Sequence, residues 1–297
     1  VLAIREAQAT QANISELVED DPMLLQARDY IAGGASASDD PAPLASSVRA
    51  LLRMTLAWQR HWSRDDSFKN WRIRVQEYLG VLVLAKKMPV ERVENGCLGF
   101  SLFGNSHLVH TIVVNKDDPI IERQTFTLFH EYGHLLLHQA AMCLAFDRQS
   151  LIENWCSEFA GQLLVQEDDL LLMVPGLEIG QPRVWSVTEV QRIAREFRVS
   201  KEVIAIRLEN LGCSHPGLFD EVSRYRQPLR ERTGGFASSK AIPALNEFGI
   251  QAASIVLQAR QKQLINTLQA SEILNLKPRW FSDLERRIGE QRMEYIR

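Results

Sequence analysis

Two histidines stand four residues apart in TLFHEYGHLLLH, residues 127–138, with a glutamate directly after the first. On a helix this spacing puts His130 and His134 on one face, one turn apart, where both imidazoles can reach a single ion. Asp117, Asp118 and Pro119 give an acidic first turn and a proline near N1, so a helix is expected from about Ile120 to Gln139. Glu131 is rotated by about 100° from His130. It stays out of the ligand set but beside the position a water would take, where a carboxylate can act as general base.

Two imidazoles are too few for a catalytic zinc, which ordinarily has three protein ligands. The next strong helical pattern, 150–165, carries an apolar face of Ile152, Cys156, Phe159, Ala160, Leu163 and Leu164. Glu153 lies in its first turn, 19 residues after His134, far enough for a loop and a return. The expected set is therefore His130, His134 and Glu153 as ligands and Glu131 as base, with zinc the expected occupant and manganese the alternative.

The flanking chain supplies strands before this motif and helices after it. VLVLA at 81–85 is a short β-rich apolar run, and CLGFSLF (97–103) with LVHTIVVN (108–115) predicts a hairpin. Helical spacing marks 48–59 and 68–79, the latter broken by Gly80. Residues 1–30 predict a peripheral helical segment, and IAGGASASDDPAPLASS at 31–47 a linker. Two short helices are expected at 187–211, with Ser200 capping the second, and further helices at 251–269 and 280–296 after a Gly234–Gly235 turn. The fold expected is α+β: a small, mainly antiparallel sheet on zincin-type metal-binding helices, with an additional all-helical C-terminal region. The division is 1–47 helical segment and linker, 48–182 metallopeptidase domain, 183–212 helix-turn-helix-like segment and 213–297 helical C-terminal domain.

Composition narrows the function classes. A net charge of −3 gives no global field for nucleic acid or anionic membranes. No apolar run approaches the ~20 residues that span a bilayer. Four scattered cysteines without CxxC spacing fit neither a disulfide framework nor a cysteine zinc site, so a reducing cytoplasm is expected. The chain opens on Val, as a portion of a longer protein would.

The runs FSLF, HTIVVN, RQTFTLFHEYGHLLLH and IENWCSEFAGQLLV resemble the ImmA/IrrE family of bacterial and phage-associated metallopeptidases, over about residues 66–165. The resemblance implies that Glu153, three residues before an Ala/Cys-Asn pair in the family pattern, is the third ligand. Ser157 stands where the family usually has Asn, and Gln166 where it commonly has Pro. It also implies a function: cleavage or other inactivation of a helix-turn-helix transcriptional repressor, derepressing stress-response, mobile-element or toxin-antitoxin genes. The alternative is a non-catalytic, metal-stabilised module that sequesters a repressor or binds DNA; Glu131 favours the enzyme.

Other polar residues have plainer readings. Three imidazoles in line on one helix cannot converge on one ion, so His138 is expected outside the ligand set. His107 and His110 are expected at the hairpin surface, Tyr132 as structural and Cys156 as a small core hydrophobe. Lys201, Arg207 and Asn210 could face DNA, but packing is the favoured role of 187–211, and Arg224, Arg226, Arg230 and Arg232 are read as a solvated or partner face. His215 and Tyr225 are the candidates for a donor to the oxyanion.

Overall fold

A computed structural model describes residues 2–25, 34–88, 97–104, 108–138, 142–144, 150–225 and 239–296. At its centre is a four-stranded mixed sheet of β1 (Leu82–Lys86), β2 (Cys97–Leu102), β3 (Thr111–Asn115) and β4 (Met142–Leu144), in the order β1-β3-β2-β4. The expected hairpin is present: β2 runs antiparallel to β3, with Phe100 opposite Val113. β1 joins β3 in parallel, Leu82 opposite Thr111. The edge strand β4, antiparallel to β2, falls in a stretch read as loop; with three residues it is too short to show an alternation.

β1 and β3 are buried along their whole length, which is why VLVLA reads as a continuous apolar run rather than an alternating one. Side chains still alternate between two cores. Val83, Ile112 and Val114 face one core, while Leu82, Leu84 and Val113 face the other.

The first core is built with α2 (Ala42–Leu51), α3 (Leu56–His61), α4 (Ser67–Leu79), α5 (Ile121–Leu136) and α6 (Leu151–Leu164), through Trp71, Leu128, Phe129 and Phe159. α7 (Glu167–Met173), α8 (Val187–Phe197), α9 (Lys201–Asn210) and α10 (Leu218–Arg224) extend it. The second core joins the sheet to α1 (Leu2–Asp20), α11 (Ala241–Gln261), α12 (Thr267–Ile273) and α13 (Phe281–Ile296). The sheet is thus covered on both faces.

Several expectations are corrected. α1 is not peripheral: Ile14 and Leu17 are buried, Gln11 donates to Val109 O at 2.7 Å, and Ser15 Oγ accepts from Val109 N at 2.9 Å. Helix begins at Ala42, inside the stretch read as linker, because prolines at 41 and 43 suit a first turn. The single helix expected at 48–59 is two, with Thr55 Oγ1 capping the second by accepting from Trp58 N. The pattern at 251–269 belongs to α11 and α12, and α11 starts ten residues earlier than expected. The Gly234–Gly235 turn lies outside the described residues.

α11 is broken at Gly249, whose φ of 72° and ψ of 174° are not helical. A β-carbon there would sit 2.8 Å from the Arg72 guanidinium, so only glycine leaves it room. Arg72 is buried and donates to Val83 O of β1 and to Asn246 O and Glu247 O of α11. Glu247 in turn pairs with Lys86 at 2.6 Å and Lys116 at 2.9 Å. This polar knot ties α4, the sheet and α11 together.

Candidate metal centre

Each helix of the centre is held at its ends. Before α5, Asp118 Oδ1 accepts from Ile120 N at 3.0 Å and Asp118 pairs with Arg123. At the start of α6, Ser150 Oγ accepts from Glu153 N at 3.2 Å, so the cap acts on the backbone of the expected ligand itself. At its far end, the orphan carbonyls of Leu163, Leu164 and Val165 accept from Arg49, Gln59 and Arg207. Buried side chains of α2, α3 and α9 therefore fix where α6 lies.

α5 and α6 pack along Gly133 and Cys156, and this brings the expected residues together. His130 Nε2 is 3.0 Å from Glu153 Oε2, His134 Nε2 is 3.3 Å from Glu153 Oε1, and the two imidazole Nε2 atoms are 3.3 Å apart. His130, His134 and Glu153 form the one group of three or more potential ligands among the described residues, with a ligand atom from each within 4.8 Å of the others. Two imidazole nitrogens and one carboxylate suit zinc or a similar divalent cation.

The electrostatics prepare these groups for a cation. Burial alone would raise the Glu153 carboxyl, but hydrogen bonds with His130 and His134 outweigh it and hold it well below the usual carboxylate range. Burial lowers His130, against the pull of Glu153. Both shifts favour the deprotonated forms that metal ligation needs.

Glu131 is fully buried on the same turn as His130, beneath β2. A β-carbon on Gly99 of β2 would lie 3.3 Å from Glu131 Cγ and 2.5 Å from Thr127 Cγ2, so the glycine lets the strand pass closely over the acid. The Glu131 charge reaches the Cys97 and Cys156 thiols, both pushed up first by burial.

The other candidates do not join the group. His138 follows the last turn of α5 at a positive φ of 54°, against the Phe103 ring, and is exposed. His110 is buried rather than at the surface; its Nδ1 accepts from Gly104 N at 2.9 Å. Tyr132 and Cys156 are core residues, as expected. Arg207 is buried on Val165 O and Lys201 Nζ donates to Val222 O, so two of the three residues considered for DNA contact are used internally. His215 and Tyr225 are exposed near α10, which packs on α9. His107, Arg226, Arg230 and Arg232 lie outside the described residues.

The position where the family usually has asparagine also reaches the site. Ser157 Oγ is 3.2 Å from His130 Nδ1, so the serine at the family's usual asparagine position reaches the ring. Its i+4 spacing from Glu153 was the available signal.

Residues 76–209 match the family model described as Peptidase_M78, IrrE N-terminal-like domain. The match runs from the end of α4 to α9 and takes in the whole sheet, α5 and α6. No curated protein matches the chain. No described helix is long and apolar enough to cross a membrane.

Proposed function

We propose, from the match of residues 76–209 to the IrrE N-terminal-like family model, that this chain is a zinc-dependent endopeptidase acting on one chosen protein partner, a helix-turn-helix transcriptional repressor. The observation that carries the reading is the convergence of His130, His134 and Glu153, with Glu131 on the intervening turn.

His130 Nε2, His134 Nε2 and the Glu153 carboxylate would hold a divalent cation. When bound, such a cation would supply Lewis acidity and lower the pKa of a water beside it. Glu131 takes the proton of the attacking water and delivers it to the leaving amine nitrogen, so the acid works twice in one turnover. Its burial under β2 keeps bulk water from levelling its interaction with the reacting atoms. Gly99 leaves room for the side chain beneath the strand. Manganese fits the same donors less selectively.

The repressor substrate follows from the family's way of acting, in which cleavage of a single regulator releases the genes it holds. The cytoplasm, where such regulators work, is the matching location. Glu131→Gln is the decisive variant. Metal content should match the parent, while chelator-sensitive fragmentation of a helix-turn-helix repressor encoded nearby should vanish. A variant that derepresses as well as the parent, without cutting, would instead identify a sequestering module.

A further inference from the structure

Glu122, Phe126, His130 and His134 follow one another at four-residue spacing along α5 and so form one row on its surface. From Gln124 to Leu136 every residue of α5 is buried except Phe126, which is half-buried. A helix that hides both histidines and Glu131 thus leaves one large apolar side chain open, on the row of the two imidazoles. The Phe126 ring lies beside the His130 ring, with centroids 6.2 Å apart and planes tilted by 34°. Beyond it Glu122 accepts two hydrogen bonds from Arg64, so the charge at that end of the row is matched.

From this placement we infer that Phe126 is a specificity-determining residue: its open face is the wall of a subsite that takes a large apolar side chain adjoining the scissile bond. The inference rests on the peptidase reading above and adds to it a requirement on the substrate at one position. Residues 126 and 130 are separated by a rise of about 6 Å along the helix. That is within reach of the side chain next to a bond attacked beside His130. The face of a phenyl ring offers no ordinary hydrogen-bonding group, so it discriminates by size and apolarity rather than by charge. The inner side of Phe126 packs against the first core, which accounts for the buried part of the ring and leaves the open part to a ligand.

The experiment uses the full chain loaded with zinc and two hydroxamates that differ only in their tails, acetohydroxamate and 3-phenylpropionohydroxamate. Their affinities are measured by calorimetry for the parent, Phe126→Ala and Phe126→Leu, with zinc affinity and thermal unfolding as checks on the site and the fold. The parent should bind the phenyl compound roughly 10-fold tighter than the acetyl one, as partial burial of an apolar tail requires. Phe126→Ala should lose most of that preference, with its affinities for acetohydroxamate and for zinc at the parental level. Phe126→Leu, which preserves the packing of the inner side, should keep the preference only in part, and it decides the matter if the alanine variant does not fold. Loss of packing alone would not move tail selectivity at constant zinc affinity. If the parent binds zinc but does not favour the phenyl tail, or if the folded variants keep the full preference, the role of Phe126 is overturned and the peptidase reading stands. If the parent binds no zinc, the metal centre fails and this inference fails with it.

Discussion

Gly133 lies so close to Cys156 that a β-carbon on the glycine would stand 3.1 Å from the cysteine Sγ and 3.2 Å from its Cα. Part of that neighbour is backbone and cannot swing aside. The glycine therefore sets the separation of α5 and α6, and with it the reach of Glu153 to the histidines. Gly133→Ala should gain about 1 kcal/mol in helix propensity but lose about 1–3 kcal/mol to overpacking. The expected net result is a lower denaturation midpoint together with weaker zinc binding. A more stable variant with parental zinc affinity would show that the contact is slack.

Ser150 caps α6 on the amide of Glu153. Ser150→Ala should cost about 1 kcal/mol of stability and loosen the turn that presents the carboxylate. Zinc affinity should fall while the metal-saturated variant keeps its turnover. Isothermal titration alongside peptidase assays at saturating zinc separates the two effects.

His110 gives the fold a pH dependence. Burial, then the nearby His138, lowers it from the usual 6.5 to about 4. The folded state therefore favours the neutral ring. Stability is complete above pH 6.5 and declines as pH falls toward 4, by up to about 3 kcal/mol from this group. Urea titrations from pH 7 to 4 should show the slope, and His110→Leu should flatten it even though it is less stable at pH 7, having removed the acceptor for Gly104 N. An unchanged slope would assign the acid sensitivity elsewhere.

Arg72 is the donor to three carbonyls on two elements. Arg72→Met keeps most of the apolar stem but strips those acceptors, and should destabilise the chain by about 3 kcal/mol or more. Because the knot joins the sheet to α11, signals from Trp71 in the first core and Trp280 beside the second should be lost in one transition. Two separated transitions would show that the two cores unfold independently.

The convergence of His130, His134 and Glu153 was legible in the sequence because its spacing is local. His130 and His134 need only helical periodicity to share a face, and Glu153 needs only a second amphipathic helix at a plausible distance. The hairpin and the buried strand VLVLA were legible for the same reason. What escaped depends on contacts between distant segments. Nothing in α1 announces that Gln11 and Ser15 satisfy the backbone at Val109, some 95 residues away. β4 has too few residues for a pattern, and the start of α2 was hidden by prolines that read as loop markers although they suit a first turn. The close approach of Gly133 to the backbone at Cys156 likewise needed coordinates.

The second core carries a consequence for how this protein can be divided. Leu82, Leu84, Phe100 and Val113 are shielded by α11 and its partners, which lie beyond the residues matched by the family model. A fragment cut at 76–209 would retain His130, His134, Glu153 and Glu131, yet would turn a greasy, β-rich face toward solvent. Such a fragment should clump or pair with its own copies before it could be assayed. The smallest piece that can stand alone is therefore set by the back of the sheet, far from His130 and His134.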